Sequence, residues 1–198
     1  MALSLASLTR PFHMIGMRLR SQRRPKAMPR RIHGRSLTMR PIEATDAGLV
    51  GDLLMGLSEH ACWLRYSRPR LPVAAVQCEV ERMLRRDGVG AIALLATMRW
   101  DSAEEAVALA ELVATDGETA EVAIVVRDDY QGQGLGSALM CQIVRQAVSL
   151  GLHTLRFDMG RENIAMLCLV RGLGLPYRRE DWPDEICLWV DLPARKYA

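Results

Sequence analysis

A chain of 198 residues, 49% hydrophobic and 25% charged, has the composition of one globular domain with a full core, and not of a low-complexity or fibrous polymer. No apolar run approaches the ~20 residues of a membrane-spanning helix, Cys62, Cys78, Cys141, Cys168 and Cys187 contain no CxxC pair, and His13, His33, His60 and His153 are scattered singly. These features argue against a transmembrane segment, a disulfide framework and a metal site, and the cysteines read as reduced core residues of a cytoplasmic protein. The net charge of +3 is uneven, because the first 35 residues carry nine basic and no acidic side chains and leave the remainder at −6.

Residues 1–36 are Arg-rich and poor in periodic large apolar residues, so they are expected to form a disordered tail ahead of a folded domain over 37–198. Three roles compete for the tail: an organellar targeting segment, a contact for nucleic acid or an anionic surface, and an inert extension upstream of Met28 or Met39. The domain opens with a strand over Leu37–Ile42, a helix cap at Thr45 or Asp46, and Leu49, Val50, Leu53, Leu54 and Leu57 at helical spacing. A second helix is expected over Leu71–Arg86, with Val73, Val76, Val80, Met83 and Leu84 on one face. The runs Val89–Met98, Ala106–Val113 and Ala120–Val126, separated by turn residues, predict an antiparallel meander. A helix over Leu135–Leu150 ending at Gly151, a strand over Leu155–Met159, a helix over Asn163–Arg171, and a hairpin of Leu175–Arg179 with Ile186–Leu192 complete the chain. The strand-helix-strand unit around residue 135 implies a parallel pair inside a mostly antiparallel sheet, an α+β (mixed α/β) fold.

The stretch Ala120–Gly136, AEVAIVVRDDYQGQGLG, is where chemistry concentrates. Val122, Ile124, Val125 and Val126 suit a strand covered on both faces. Gly132, Gly134 and Gly136 then let the backbone turn tightly and present N–H groups at the start of a helix, a natural anion site. No Lys-Ser/Thr pair follows the last glycine, which excludes a nucleoside-triphosphate loop. The third glycine of a dinucleotide fingerprint would fall at Ser137, which excludes that motif too.

The string Gln131-x-x-Gly134-x-Gly136 resembles the pyrophosphate loop of the GCN5-related N-acetyltransferases (GNAT). Asn163, Met166, Leu169, Gly174 and Leu175 match the spacing of that family's later helix, and Arg40-Pro41 followed by Asp46 resembles its usual opening. Leu57, Ser58, Arg65 and Tyr66 resemble a segment of the acetyltransferase domain of bacterial Pat-type protein lysine acetyltransferases. The resemblance covers about residues 37–192. It implies the GNAT fold, with helices on both faces of the sheet and a parallel strand pair that splays apart around the pantetheine arm of acetyl-CoA. Ile124, Val125 and Val126 would bond that arm through their backbone. Gln131, Gly132, Gln133, Gly134, Leu135, Gly136 and Ser137 would hold the diphosphate, with help from the helix dipole, and Asn163 would bond the arm.

The acceptor is then an amine, a protein lysine or a small molecule. An ammonium of pKa about 10.4 must lose a proton before attack, which at pH 7 costs about 4.6 kcal/mol and calls for a base. Glu121 is the candidate: it reads as the one acid inside an otherwise apolar central strand, where partial desolvation raises a carboxyl pKa, and Pat-type domains carry their catalytic Glu in a matching Ala-Glu-x-Ala strand. Many family members place a Tyr seven residues after the Asn as acid for the departing thiolate. Here that position is Val170, with Tyr177 a stand-in at most. A reading of a different class is a CoA-binding sensor or adaptor without turnover, whose basic tail grips a partner.

Overall fold

The computed structural model describes residues 30–32, 35–85, 90–100 and 103–193. Most of the predicted tail, residues 1–29, lies outside them. Two strands begin inside the stretch assigned to the tail: β1 (Arg30–Ile32) pairs antiparallel with β2 (Arg35–Pro41). A 3-10 turn, Ala44–Asp46, leads into α1 (Ala47–Met55), α2 (Glu59–Tyr66) and α3 (Val73–Leu84). The meander follows as β3 (Ala91–Trp100), β4 (Ala103–Ala114) and β5 (Thr119–Val126). After the glycine turn come α4 (Leu135–Leu150), β6 (Thr154–Gly160), α5 (Ile164–Arg171), β7 (Tyr177–Asp181) and β8 (Glu185–Asp191).

Asp46 joins β2 to α1 through an ion pair that its sequence context did not predict. It occupies the N-cap position of α1, one of the two residues expected there, but makes no side-chain bond to that helix. Its buried carboxylate instead accepts two bonds from the Arg40 guanidinium, at 2.6 and 2.7 Å, and one from the Glu43 N–H. The Arg40 contact holds that carboxyl below the ordinary range. Helix α2 was not legible as a helix. Eight residues are too few for a periodic signal, and it is defined by Ser58, whose hydroxyl accepts from the Ala61 N–H, and by Ser67, left-handed at φ 54°.

The eight strands lie in the order β1-β2-β3-β4-β5-β6-β8-β7, and among the described residues only β5 and β6 run parallel. Alternation along the strands divides the core. Val122, Leu112, Phe157 and Leu188 point to the face covered by α4 and α5, where Leu139, Met140, Ile143 and Val170 meet them. Leu95, Leu109 and Val125 point the other way, against Val50, Leu53, Val76, Val80 and Met83 of α1 and α3. Helices thus cover both faces, as expected. On the second face α1 and α2 pack over β4 and β5, while β6, β8 and β7 turn partly exposed side chains outward there, Arg156, Asp158, Arg178 and Glu180.

Candidate active site

The β5–β6 ladder holds three residue pairs, Thr119 with Thr154, Ala120 with Leu155 and Glu121 with Arg156, and then stops. Val122–Val126 remain paired to β4 alone, and Phe157–Gly160 to β8 alone. The two strands part at Glu121, so the stretch of β5 beyond it forms the wall of a cleft. By alternation Ile124 and Val126 turn their backbone groups away from β4, the Val126 carbonyl accepting from Gln131, while Val125 turns its own toward Leu109 of β4. Glu121 stands at the apex of the cleft. The carboxyl keeps 34% of its surface exposed and lies 3.4 Å from Arg156 Nη1, so the desolvation argued from the sequence is partial.

At the open end of the cleft the chain makes the glycine turn. Gly132 and Gly134 have φ of 69° and 81°, and a Cβ at either would meet nothing within 4 Å, so the glycines serve the left-handed backbone and leave the approach clear. The ladder of α4 begins with Ala138 N–H donating to the Gly134 carbonyl, which leaves the N–H groups of Leu135, Gly136 and Ser137 ahead of it, and no side chain caps the end. The Gln131 and Gln133 side chains bond within the turn itself. Their amide nitrogens donate to the Val126 and Asp129 carbonyls, both at 3.0 Å, and brace the turn, while the buried Gln133 Oε1 has no hydrogen-bond partner. The Leu135 side chain is in the core, so only its backbone faces the turn. At Gly136 an added Cβ would come within 3.1 Å of the Leu169 side chain, and this close approach seats α4 against α5. Asn163 caps α5, its Oδ1 accepting from the Met166 N–H at 3.0 Å. These groups fit a coenzyme A diphosphate and pantetheine held mainly by backbone.

Glu121 is the one acid of β5, but the neighbouring strand carries a more deeply buried one. Glu111 sits mid-way along β4, 3% exposed, on the same face, opposite Ala123 of β5. It accepts from Arg65 of α2 at 2.6 Å and from Arg82 of α3 at 3.0 and 3.1 Å, and Glu79 engages the same Arg82 at 2.7 Å. Arg65, one of the residues of the Pat-like segment, is therefore ion-paired within the fold. Next to it the Tyr66 hydroxyl is buried without a hydrogen-bond partner, and burial raises its pKa. The only sequence signal for Glu111 was a charge inside the run Ala106–Val113, which the apolar reading absorbed.

On the open part of this face the residues line up in rows. Glu121 pairs with Arg156, Arg156 with Trp189 of β8, and Trp189 with Arg178 of β7. Both guanidiniums lie over the indole, 5.2 and 5.8 Å from its centroid. In the next row burial, with Asp158 beside it, pushes the Cys187 thiol up to about 12, so this cysteine is no nucleophile at neutral pH. Val170 is buried in the core, and Tyr177 lies on the outermost strand, roughly 10 Å of ladder spacing from β6.

Residues 36–176 match the family model of the acetyltransferase (GNAT) domain. The chain belongs to the GNAT acetyltransferase family. It is 40% identical over 74 residues to acetyltransferase Pat of Mycolicibacterium smegmatis, a stretch that takes in 37% of this chain and 22% of that relative, so the chain spans a small part of that protein's length. The GNAT domain of S. lividans PAT superposes with a TM-score of 0.71 at 23% identity, covering 84% of this chain and 97% of that one. Spermidine N-acetyltransferase of Vibrio cholerae, solved with CoA and spermine, superposes at 0.61 with 16% identity and coverages of 78% and 95%. GNAT membership accounts for the parting strands and the glycine turn together. Among the described residues no helix is long and apolar enough to cross a membrane, no group of three or more His, Cys, Asp or Glu side chains is arranged for a metal, and all five cysteines are free thiols.

Proposed function

We propose that this GNAT domain moves the acetyl group of acetyl-CoA to the side-chain amine of a protein lysine by direct attack in a ternary complex, with Glu121 as the base. The observation that carries the reading is the position of Glu121 at the apex of the β5–β6 cleft, the last paired residue before the strands part. Acetyl-CoA supplies an activated thioester. The chain's own groups do the rest: the α4 N-terminus and the turn from Gln131 to Ser137 bind the diphosphate, the β5 edge orients the arm, and the Glu121 carboxylate takes the proton of the incoming ammonium. The high thiol pKa of Cys187, the cysteine on this face, supports attack by the amine itself over a covalent enzyme intermediate. A lysine acceptor is favoured by the Pat-like segment Leu57–Tyr66, which forms α2 beside the cleft, and by the acidic charge outside the basic tail.

The sensor reading retains one observation, the buried Val170 where many family members carry the tyrosine acid. Incubating the full chain with acetyl-CoA and poly-L-lysine, or with spermidine, and following free thiol separates the readings. Thiol release with poly-L-lysine, lost in Glu121→Gln, is the expected result. Preference for spermidine indicates a small-amine enzyme, and tight acetyl-CoA binding without release from either acceptor indicates a sensor.

A further inference from the structure

The Arg156 guanidinium lies between two carboxylates. Its Nη1 faces Glu121 at 3.4 Å from β5, while its Nε bonds Asp158, two residues along β6 on the same face, at 3.0 Å. One plane of the side chain lies over Trp189. All three charged groups keep between 30 and 39% of their side-chain surface exposed, on the part of the sheet beyond α2. Counted together, Glu121, Asp158 and Arg156 carry a charge of −1, which a single further cation neutralises. The longer of the two contacts is the one to Glu121, and it uses a different nitrogen from the Asp158 bond, so it opens without breaking the other.

We propose that Arg156 is a displaceable counter-ion for Glu121: it holds the carboxylate before the acceptor binds, and yields its place to the acceptor ammonium while Asp158 and the Trp189 ring retain it. This deepens the reading of Glu121 as the base and rests on it. Arg156 and Asp158 are positioning residues. Before the amine binds they aim Glu121 along the row. When the ammonium arrives, its N–H donates to Glu121 and the trio plus substrate is neutral. That proton passes to Glu121, the lone pair so freed forms the C–N bond at the thioester carbon, the C–S bond breaks, and the departing CoA thiolate takes the second proton of the attacking nitrogen. The site is thus matched to one primary or secondary ammonium, and it discriminates against neutral acceptors, which leave the charge of −1 uncompensated.

Charge counting orders the variants. Asp158→Asn makes the trio neutral and fixes Arg156 on Glu121, so the acceptor KM for poly-L-lysine rises about tenfold, with kcat changing about twofold or less, since one ion-pair contact is exchanged. Arg156→Gln makes it −2 and lowers that KM. The double variant Asp158→Asn/Arg156→Gln restores −1 and returns KM to within about threefold of the parent. Glu180→Gln, on the same face but outside the trio, changes KM by less than about twofold and separates this effect from general surface charge. An unchanged KM in Asp158→Asn, or a double variant no better than it, overturns the proposal. Thermal melts identify any variant that loses its fold.

A second measurement does not depend on turnover. The Arg156 Nε–H and Trp189 Nε1–H resonances of the amine-free protein are expected to shift in Glu121→Gln, and unmoved resonances refute the counter-ion role whatever the acceptor is. If those signals shift while the parent protein acetylates nothing, the proposed function fails and the Glu121–Arg156 contact stands as a feature of a site without turnover.

Discussion

Glu121 and Arg156 are the last facing residues of β5 and β6, and the point where their ladder ends is also where their side chains meet, at 3.4 Å. One backbone event, the parting of two parallel strands, therefore sets both the opening for a coenzyme arm and the carboxylate beside it. The same register continues through Trp189 and Arg178 to the sheet edge.

Removing the carboxylate tests the centre of this arrangement. Glu121→Gln keeps the shape of the side chain and abolishes its basicity, so turnover is expected to fall by about 10²–10⁴. Acetyl-CoA affinity, measured by calorimetry, is expected to stay within about threefold, because the binding groups are backbone amides several residues away.

Gly134 stands at φ 81° as the residue before α4, with open space where a Cβ would sit. Gly134→Ala therefore meets no steric neighbour and pays only for the left-handed backbone, about 1–2 kcal/mol, or roughly 2–8 °C in the melting temperature. Any tilt of the turn that relieves this cost misaligns the N–H groups, so CoA affinity falls together with stability. A variant with full affinity and an unchanged melt contradicts the backbone assignment.

Glu111 accepts from two guanidiniums on two different helices, and Glu79 shares the second of them. Glu111→Gln leaves Arg65 and the inner part of Arg82 without their anion. The loss is expected to be about 2–3 kcal/mol, below the range for a fully buried pair because Arg82 keeps solvent and Glu79. Urea unfolding measures it, and a loss near zero means that the cluster is solvated in solution.

Asp46 carries a pH signature. Its folded pKa is depressed below the ordinary 3.8 by the Arg40 bond, so the stabilisation it provides is complete above that value and is lost as pH falls through the folded pKa. Stability is expected to decline on acidification below about pH 4. In Asp46→Asn the starting stability is lower and this part of the slope is absent. Melts followed from neutral to acid pH check the sign, and equal slopes in the two proteins contradict it.

What a sequence makes legible is chemistry confined to a few neighbouring residues. The strand ending at Val126, the left-handed glycines at 132, 134 and 151, the helix over 135–150 and the Asn163 helix start all rest on local backbone preference, and the structure contains each of them. Glu121 stood out in the sequence because it is a charge in a β-branched run, and the register then put it at the parting of the strands. Glu111 was equally visible as a letter but not as a site, because its partners are 46 and 29 residues away and only the packing of α2 and α3 over β4 brings them to it. Arg156 likewise lies 35 positions beyond Glu121. No periodicity specifies that a parallel ladder ends after three pairs, since that depends on which residues face one another across the sheet. Local preference determined the elements of this protein. Long-range register and burial decided which charges meet.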